Sequence, residues 1–296
     1  MTKTSSSFSI ASKLRDYYLL IKFTLSITVV FSCIICYLLA PKVVEYDWGM
    51  IALLFIAGML VTGSANAINQ AVEKDTDSMM SRTSKRPVAN GSMSVKEAYT
   101  FAVIAGILGV SMMWYYFNLS AALISAFSLF LYAFIYTPLK KINSIAVLIG
   151  AFPGALPCLI GWVAGNDDFS AGGWVLFAMQ FLWQFPHFWA IAWVAHTDYT
   201  KAGFKLLPAD KGPTKFTAIQ TIMYSVLMIP VGLLPYYFGL TGITSVWVVM
   251  ACNLFMVLQS IRLYINMDVK SARRVMFSSY IYLPIVLLAL LADKIR

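Results

Sequence analysis

The chain has 296 residues, of which 60% are hydrophobic and only 12% charged, and it carries a formal net charge of +9. That balance excludes an ordinary soluble globule. Cations split among short loops, with no soluble domain to present them, exclude a nucleic-acid-binding surface. The composition predicts an all-α polytopic membrane protein, a single integral-membrane domain over residues 1–296 surrounded by the lipid bilayer.

Residues 1–18 read as a polar N-terminal arm. No small-residue cleavage site follows the first apolar run, so the first helix is expected to remain in the mature chain. Apolar runs long enough to cross a bilayer core, about 20 residues each, centre on residues 23–39, 50–72, 98–116, 121–136, 145–163, 174–195, 217–238, 243–261 and 276–291. They predict about nine transmembrane helices around a central cavity. Cys33, Cys36, Cys158 and Cys252 fall in these runs, without a histidine or loop beside them, and read as small packing residues.

Charge placement predicts the orientation. With a cytoplasmic N-terminus, all but three of the 22 cations lie on the inner side. The exceptions are Lys42, Lys294 and Arg296, and Glu45, Asp47, Asp167 and Asp168 gather on their side. The positive-inside rule then puts the N-terminus and the charged loops in the cytoplasm.

The end of the second span reads Asn69-Gln70-Ala71-Val72-Glu73-Lys74-Asp75-Thr76-Asp77, and Arg82-Thr83-Ser84-Lys85-Arg86-Pro87 follows. Residues four apart stack on one helix face, so Asn69, Glu73 and Asp77 form a stripe of oxygen donors with Asp75 beside it. Hard oxygen donors that leave room for water and substrate phosphates suit Mg²⁺. Lys74, Arg82, Lys85 and Arg86 are placed to hold phosphate oxygens, arginine through its fork and lysine as a point charge. A capped helix end with a solvated loop is the plainer alternative, and the helical recurrence of oxygen donors argues against it.

A second centre closes the sixth span, from Trp183-Gln184-Phe185-Pro186-His187-Phe188-Trp189 to His196-Thr197-Asp198-Tyr199-Thr200-Lys201. A histidine inside a span needs a cavity or a partner, which makes His187 a candidate for function or for a hydrogen bond between helices. His196 reads as solvated. Asp198 and Lys201, about one turn apart, repeat the acid-plus-cation pairing. Both centres emerge on the same predicted side, four spans apart, where they could converge on one metal–diphosphate group. Trp183, Phe185 and Trp189 are candidates to line an apolar tail or face a carbocation, with ordinary packing the alternative for each.

The run Asn69 to Asp77 resembles the first aspartate-rich motif of the UbiA superfamily of intramembrane prenyltransferases. Together with Met80, Arg82-Thr83, Arg86-Pro87, Tyr136-Thr137-Pro138-Leu139-Lys140-Lys141, Asn143, Gly150, Pro153-Gly154-Ala155-Leu156-Pro157, Pro186-His187-Phe188-Trp189, Asp198-Tyr199 and Ala202-Gly203, it resembles the branch that farnesylates protohaem. The resemblance runs from the first helix to about Pro208 and only loosely beyond. It implies a UbiA-type fold in the cell (inner) membrane, and Mg²⁺-dependent transfer of a farnesyl group from farnesyl diphosphate to a vinyl group of haem B, giving haem O. It implies metal and catalytic roles for Asn69, Glu73, Asp77 and Asp198. Lys74, Arg82, Lys85, Arg86, Lys140 and Lys201 would bind diphosphate, and His187, Trp183, Phe185, Trp189 and Tyr136 haem or prenyl. Haem A synthase or oxidase assembly factors are the implied partners. Gln70 stands where many members carry aspartate, Glu73 replaces the more usual aspartate, and Phe23-Thr24 follows Lys22 where relatives often have proline and arginine. A sister enzyme acting on an aromatic quinone precursor is the nearest alternative. A transporter is a more distant one, because its ionisable groups belong near the bilayer midplane rather than at one face.

Overall fold

The computed structural model describes residues 10–208 and 212–295, and these residues are almost wholly helical. Lys3, Lys211 and Arg296, three of the 22 cations counted for the orientation, lie outside the described residues, with the rest of residues 1–9. The helices are α1 (Ile10–Leu20), α2 (Phe23–Leu39), α3 (Trp48–Val72), α4 (Lys74–Ser78), α5 (Pro87–Asn90), α6 (Val95–Tyr116), α7 (Leu119–Phe130), α8 (Thr137–Leu139), α9 (Ala146–Asn166), α10 (Ala171–Val194), α11 (His196–Lys201), α12 (Lys215–Tyr237), α13 (Ile243–Asn266) and α14 (Val269–Ala292).

Side chains that prefer to cap helices set many of these boundaries. Asp47, Ser94, Asn118, Thr214 and Asp268 each accept from a backbone N–H in the first turn of α3, α6, α7, α12 and α14. A π-helical turn, Leu131–Tyr136, carries α7 into α8. Thr137 sends both its N–H and its hydroxyl to Tyr132 O. The wider turn suits Pro138, whose ring would crowd the carbonyl four residues earlier in a regular helix.

Seven segments are long and apolar enough to cross a membrane: α3, α6, α7 continued to Leu139, α9, α12, α13 and α14. The pair α1–α2, bent by 50°, makes an eighth. Helix α10, with 24 residues, is about 36 Å long at 1.5 Å per residue and reaches equally far. Gln180, Gln184, Pro186 and His187 dilute its apolar character, which it can tolerate because it packs on α9, α12 and α14. Among the described residues these long helices form a closed ring, in the order α2, α3, α6, α7, α9, α10, α12, α13, α14 and back to α2. Contacts of α2 with α9 and of α10 with α14 pinch the ring, and the largest apolar core lies where these four meet. Gly161 permits the α2–α9 approach, because a Cβ there would overlap the Cys33 carbonyl.

Residues 10–18, expected as part of a polar arm, belong instead to α1. The cause is tertiary: Lys13 Nζ lies 2.9 and 3.0 Å from the two Glu97 oxygens of α6, and Tyr17 donates to the same carboxylate at 3.0 Å. Alternation around the ring brings the loops that follow α3, α8 and α10 to one end with the α1–α2 bend. The opposite end holds Lys294, which donates to the Leu38, Ala40 and Val43 carbonyls, and Asn118, which donates to Val163 O.

Candidate active site

Three amides on α3 grip the α1–α2 bend. Asn66 donates to Ile21 O and Ser26 Oγ at 3.1 Å each, and Gln70 donates to Leu19 O at 2.8 Å and Leu20 O at 2.9 Å. These bonds supply donors to carbonyls at the end of α1, among them Leu20 O, which requires an amide rather than a carboxylate at position 70. Lys22 at the bend has φ 47, a left-handed conformation that ordinary side chains avoid. The conformation turns Lys22 inward, where its Nζ donates to Asn69 Oδ1 at 2.7 Å. Lysine can only donate, so this bond fixes the Asn69 amide, whose nitrogen then reaches Thr137 Oγ1 at 3.2 Å.

Beyond Asn69 the helical hydrogen bonding continues, from Glu73 N to Asn69 O and from Asp77 N to Glu73 O. Asn69, Glu73 and Asp77 are therefore a stripe, and all three are buried, at 0%, 3% and 1% exposure. Asp75 and Lys74 face outward. Each buried acid meets a protein cation. Lys140 Nζ is 2.5 Å from Glu73 Oε1, and Arg86 Nη1 donates to both Asp77 oxygens at 2.8 and 2.7 Å. The Glu73–Lys140 contact is close but poorly directed, leaving Glu73 Oε1 buried without a proper hydrogen bond. Lys140 also lies 4.8 Å from the Tyr136 ring and 5.3 Å from the Phe204 ring. Gly150 makes room for Tyr136, since a Cβ there would come within 2.6 Å of that ring.

Three cations, Lys22, Arg86 and Lys140, thus face two buried carboxylates, a formal surplus of one positive charge. Like charges gathered this closely repel one another. An anion bound among them would relieve that repulsion.

The second segment closes over the first. Asp198 Oδ2 accepts from Ser81 Oγ at 2.5 Å, Arg82 Nη2 donates to Tyr199 OH at 3.2 Å, and Lys205 N donates to Lys140 O at 2.8 Å. Met80 packs with Ala202 and Phe204 beneath this contact. Arg82, Lys85 and Lys201 are exposed. Among the described residues, no three acids or histidines stand close enough to hold a metal alone. The donor chemistry still fits Mg²⁺: hard oxygens only, one of them an underused buried carboxylate atom, beside cations that a phosphate would draw away. The fit is to a metal–phosphate unit in which substrate oxygens complete the shell.

The expected aromatic wall of α10 divides in two. Trp183 and His187 face α14, where Trp183 Nε1 donates to Ser279 O at 3.0 Å and His187 Nδ1 lies 2.8 Å from Ser279 Oγ. Phe185 and Trp189 face α9 and α12, packing with Val147, Ala151 and Tyr224. Two residues turn a helix by about 200°, so the pairs 183/187 and 185/189 occupy opposite sides. Lys22 and Thr137, present in the sequence motifs without a role in the site, join Ser81 and Ser279 as residues whose contacts only the fold reveals. A lysine immediately before an apolar run was the available signal for Lys22.

Two buried acids, an amide and one cation in excess are thus gathered at one end of a closed ring of apolar helices. The chain belongs to the UbiA prenyltransferase family, whose sequence profile matches residues 29–282. It is 45% identical to a protein of Cytophaga hutchinsonii named protoheme IX farnesyltransferase, over 96% of this chain and 99% of that protein. Its fold is similar to that of digeranylgeranylglyceryl phosphate synthase, with a TM-score of 0.79 at 24% identity over 95% of this chain and 98% of the other. A UbiA homologue from Archaeoglobus fulgidus, solved bound to GPP and Mg²⁺, shares the fold with a TM-score of 0.66 at 14% identity, covering 93% of this chain and 99% of that one.

Proposed function

We propose that the protein transfers the farnesyl group of farnesyl diphosphate to a vinyl group of haem B, forming haem O. The observation that carries this reading is the buried Asn69–Glu73–Asp77 stripe met by Lys22, Arg86 and Lys140 in a chain 45% identical to a protein named for this reaction. The quinone-precursor alternative has no comparable support.

In the reaction the bond between farnesyl C1 and the diphosphate oxygen breaks, and the diphosphate keeps the electron pair. The allylic carbocation adds to the vinyl group, water adds to the resulting cation, and one proton leaves. Lys22, Arg86 and Lys140 receive the charge developing on the diphosphate in a site largely closed to water, where each contact is worth more than in solution. Arg82 supports the outer phosphate, while Lys74, Lys85 and Lys201 raise the local positive potential from the exposed side. Mg²⁺, with which the A. fulgidus homologue was solved alongside GPP, would neutralise leaving-group charge, and Asn69, Glu73, Asp77 and Asp198 would hold it. Tyr136, beside Lys140, lines the prenyl end, and His187 with Trp183 faces the porphyrin. Phe185 and Trp189 serve as packing. The site opens to the cytoplasm in the bacterial inner membrane, and the product passes to haem A synthase or oxidase assembly factors.

The test is mass spectrometry of haem after the purified protein in lipid nanodiscs is incubated with haem B, farnesyl diphosphate and Mg²⁺. A haem species heavier by a hydroxylated farnesyl group is expected. Unchanged haem, with prenylation of an aromatic acid instead, would overturn the assignment.

A further inference from the structure

His187 and Trp183 lie one turn apart on α10, and both end on the same residue of α14. The Ser279 hydroxyl is 2.6 Å from Met276 O. A carbonyl oxygen can only accept, so the single hydroxyl proton must lie in that contact. In the 2.8 Å contact with His187 Nδ1, Ser279 Oγ is therefore the acceptor and Nδ1 carries the proton. Ring contacts fix the imidazole plane as well. Trp183 stacks on it with centroids 4.7 Å apart and planes 19° apart, and Tyr280 presents an edge at 5.1 Å. Trp183 is itself anchored by its indole N–H on Ser279 O. Nε2 keeps its lone pair and has no hydrogen-bonding partner among the described residues.

A neutral imidazole whose Nδ1–H is held by an oxygen and whose Nε2 is bare is the arrangement in which histidine binds metals. We propose that Ser279 is a positioning residue that locks His187 in the Nδ1–H tautomer and so presents Nε2 as an axial ligand to the iron of the porphyrin substrate. The inference rests on the haem-modifying reading and assigns that reading's substrate orientation to an α10–α14 contact, remote in sequence from the acidic motif.

The chain has two histidines, so ring-¹⁵N-histidine NMR gives two imidazole signals, and His196→Gln assigns them. The expected result is an Nδ1–H tautomer for His187 that Ser279→Thr retains and Ser279→Ala loses. Haem B titration, with EPR of the ferric complex, should show a histidine-ligated signal in the wild type. In Ser279→Ala that signal should be lost, with haem affinity about 10- to 100-fold weaker, the usual effect of removing such an outer-shell partner. Farnesyl diphosphate affinity should be unchanged in both variants. An Nε2–H tautomer in the wild type, or wild-type tautomer and EPR in Ser279→Ala, would overturn the proposal. Failure of the wild type to bind any haem, with the Nδ1–H tautomer present, would instead overturn the substrate reading and the ligand role with it.

Discussion

The two ends of the helix ring use the same side chains differently. At one end Lys294 donates to three carbonyls, of Leu38, Ala40 and Val43, at 2.7–2.8 Å, and Asp293 accepts from Ser245 N at 2.7 Å. Lys294 and Asp293 there finish helix termini by bonding to backbone. At the other end Lys22, Arg86 and Lys140 engage side-chain oxygens of Asn69, Asp77 and Glu73. Those pairings can be redistributed without opening a helix, and they leave positive charge over. A lysine that caps a helix serves the fold, whereas a lysine held on a movable amide or carboxylate is available to a substrate.

Substitutions at the two ends should therefore have different consequences. The largest effect is expected at the acid stripe: Asp77→Asn or Glu73→Gln should lower haem O formation by a hundredfold or more, on the order of 3 kcal/mol of barrier, while the protein still accumulates in membranes. Near-normal turnover in both variants would remove the stripe from the site. Next is Lys22→Met, where loss of one inward-turned, half-buried cation should reduce kcat/KM for farnesyl diphosphate by roughly 10- to 100-fold and leave haem affinity alone. Equal losses for both substrates would point to collapse of the α1–α2 bend. Arg82→Lys, at an exposed position next to Tyr199, should raise KM for farnesyl diphosphate by only about 2- to 5-fold, measurable by steady-state kinetics. Lys294→Met should not change kcat/KM at all. It should lower resistance to thermal unfolding in detergent, because three carbonyls lose a charged donor, at about 1–3 kcal/mol. A large activity loss there would erase the distinction between the two ends.

Much of the fold was legible because lipid-facing helices must be apolar over about 20 residues, a signal carried by the chain locally. Helix α1 was not legible, since Lys13, Arg15 and Asp16 make its sequence polar and its order depends on Glu97, some 80 positions away. In the site, the spacing of Asn69, Glu73 and Asp77 was readable because helical periodicity is local. The identity of their partners was not. Lys22 reaches Asn69 only because the chain turns through a left-handed residue, and Gln70 departs from aspartate because carbonyls of α1 require a donor. The split of the α10 aromatics was available from helical geometry alone, since residues two apart cannot share a face. That Ser279 would meet His187 depends on how α14 closes the ring, which no local pattern encodes.

In the proposed reading the buried stripe and its cations hold a metal–diphosphate unit. This is tested most directly by equilibrium binding of an unreactive farnesyl thiolodiphosphate to the nanodisc-embedded protein, with Mg²⁺ and with a chelator. Mg²⁺-dependent binding is expected in the wild type, weakened at least tenfold in Asp77→Asn, with haem B affinity the same in both proteins. Binding that is equally tight with the chelator, or unaltered in Asp77→Asn, would contradict it.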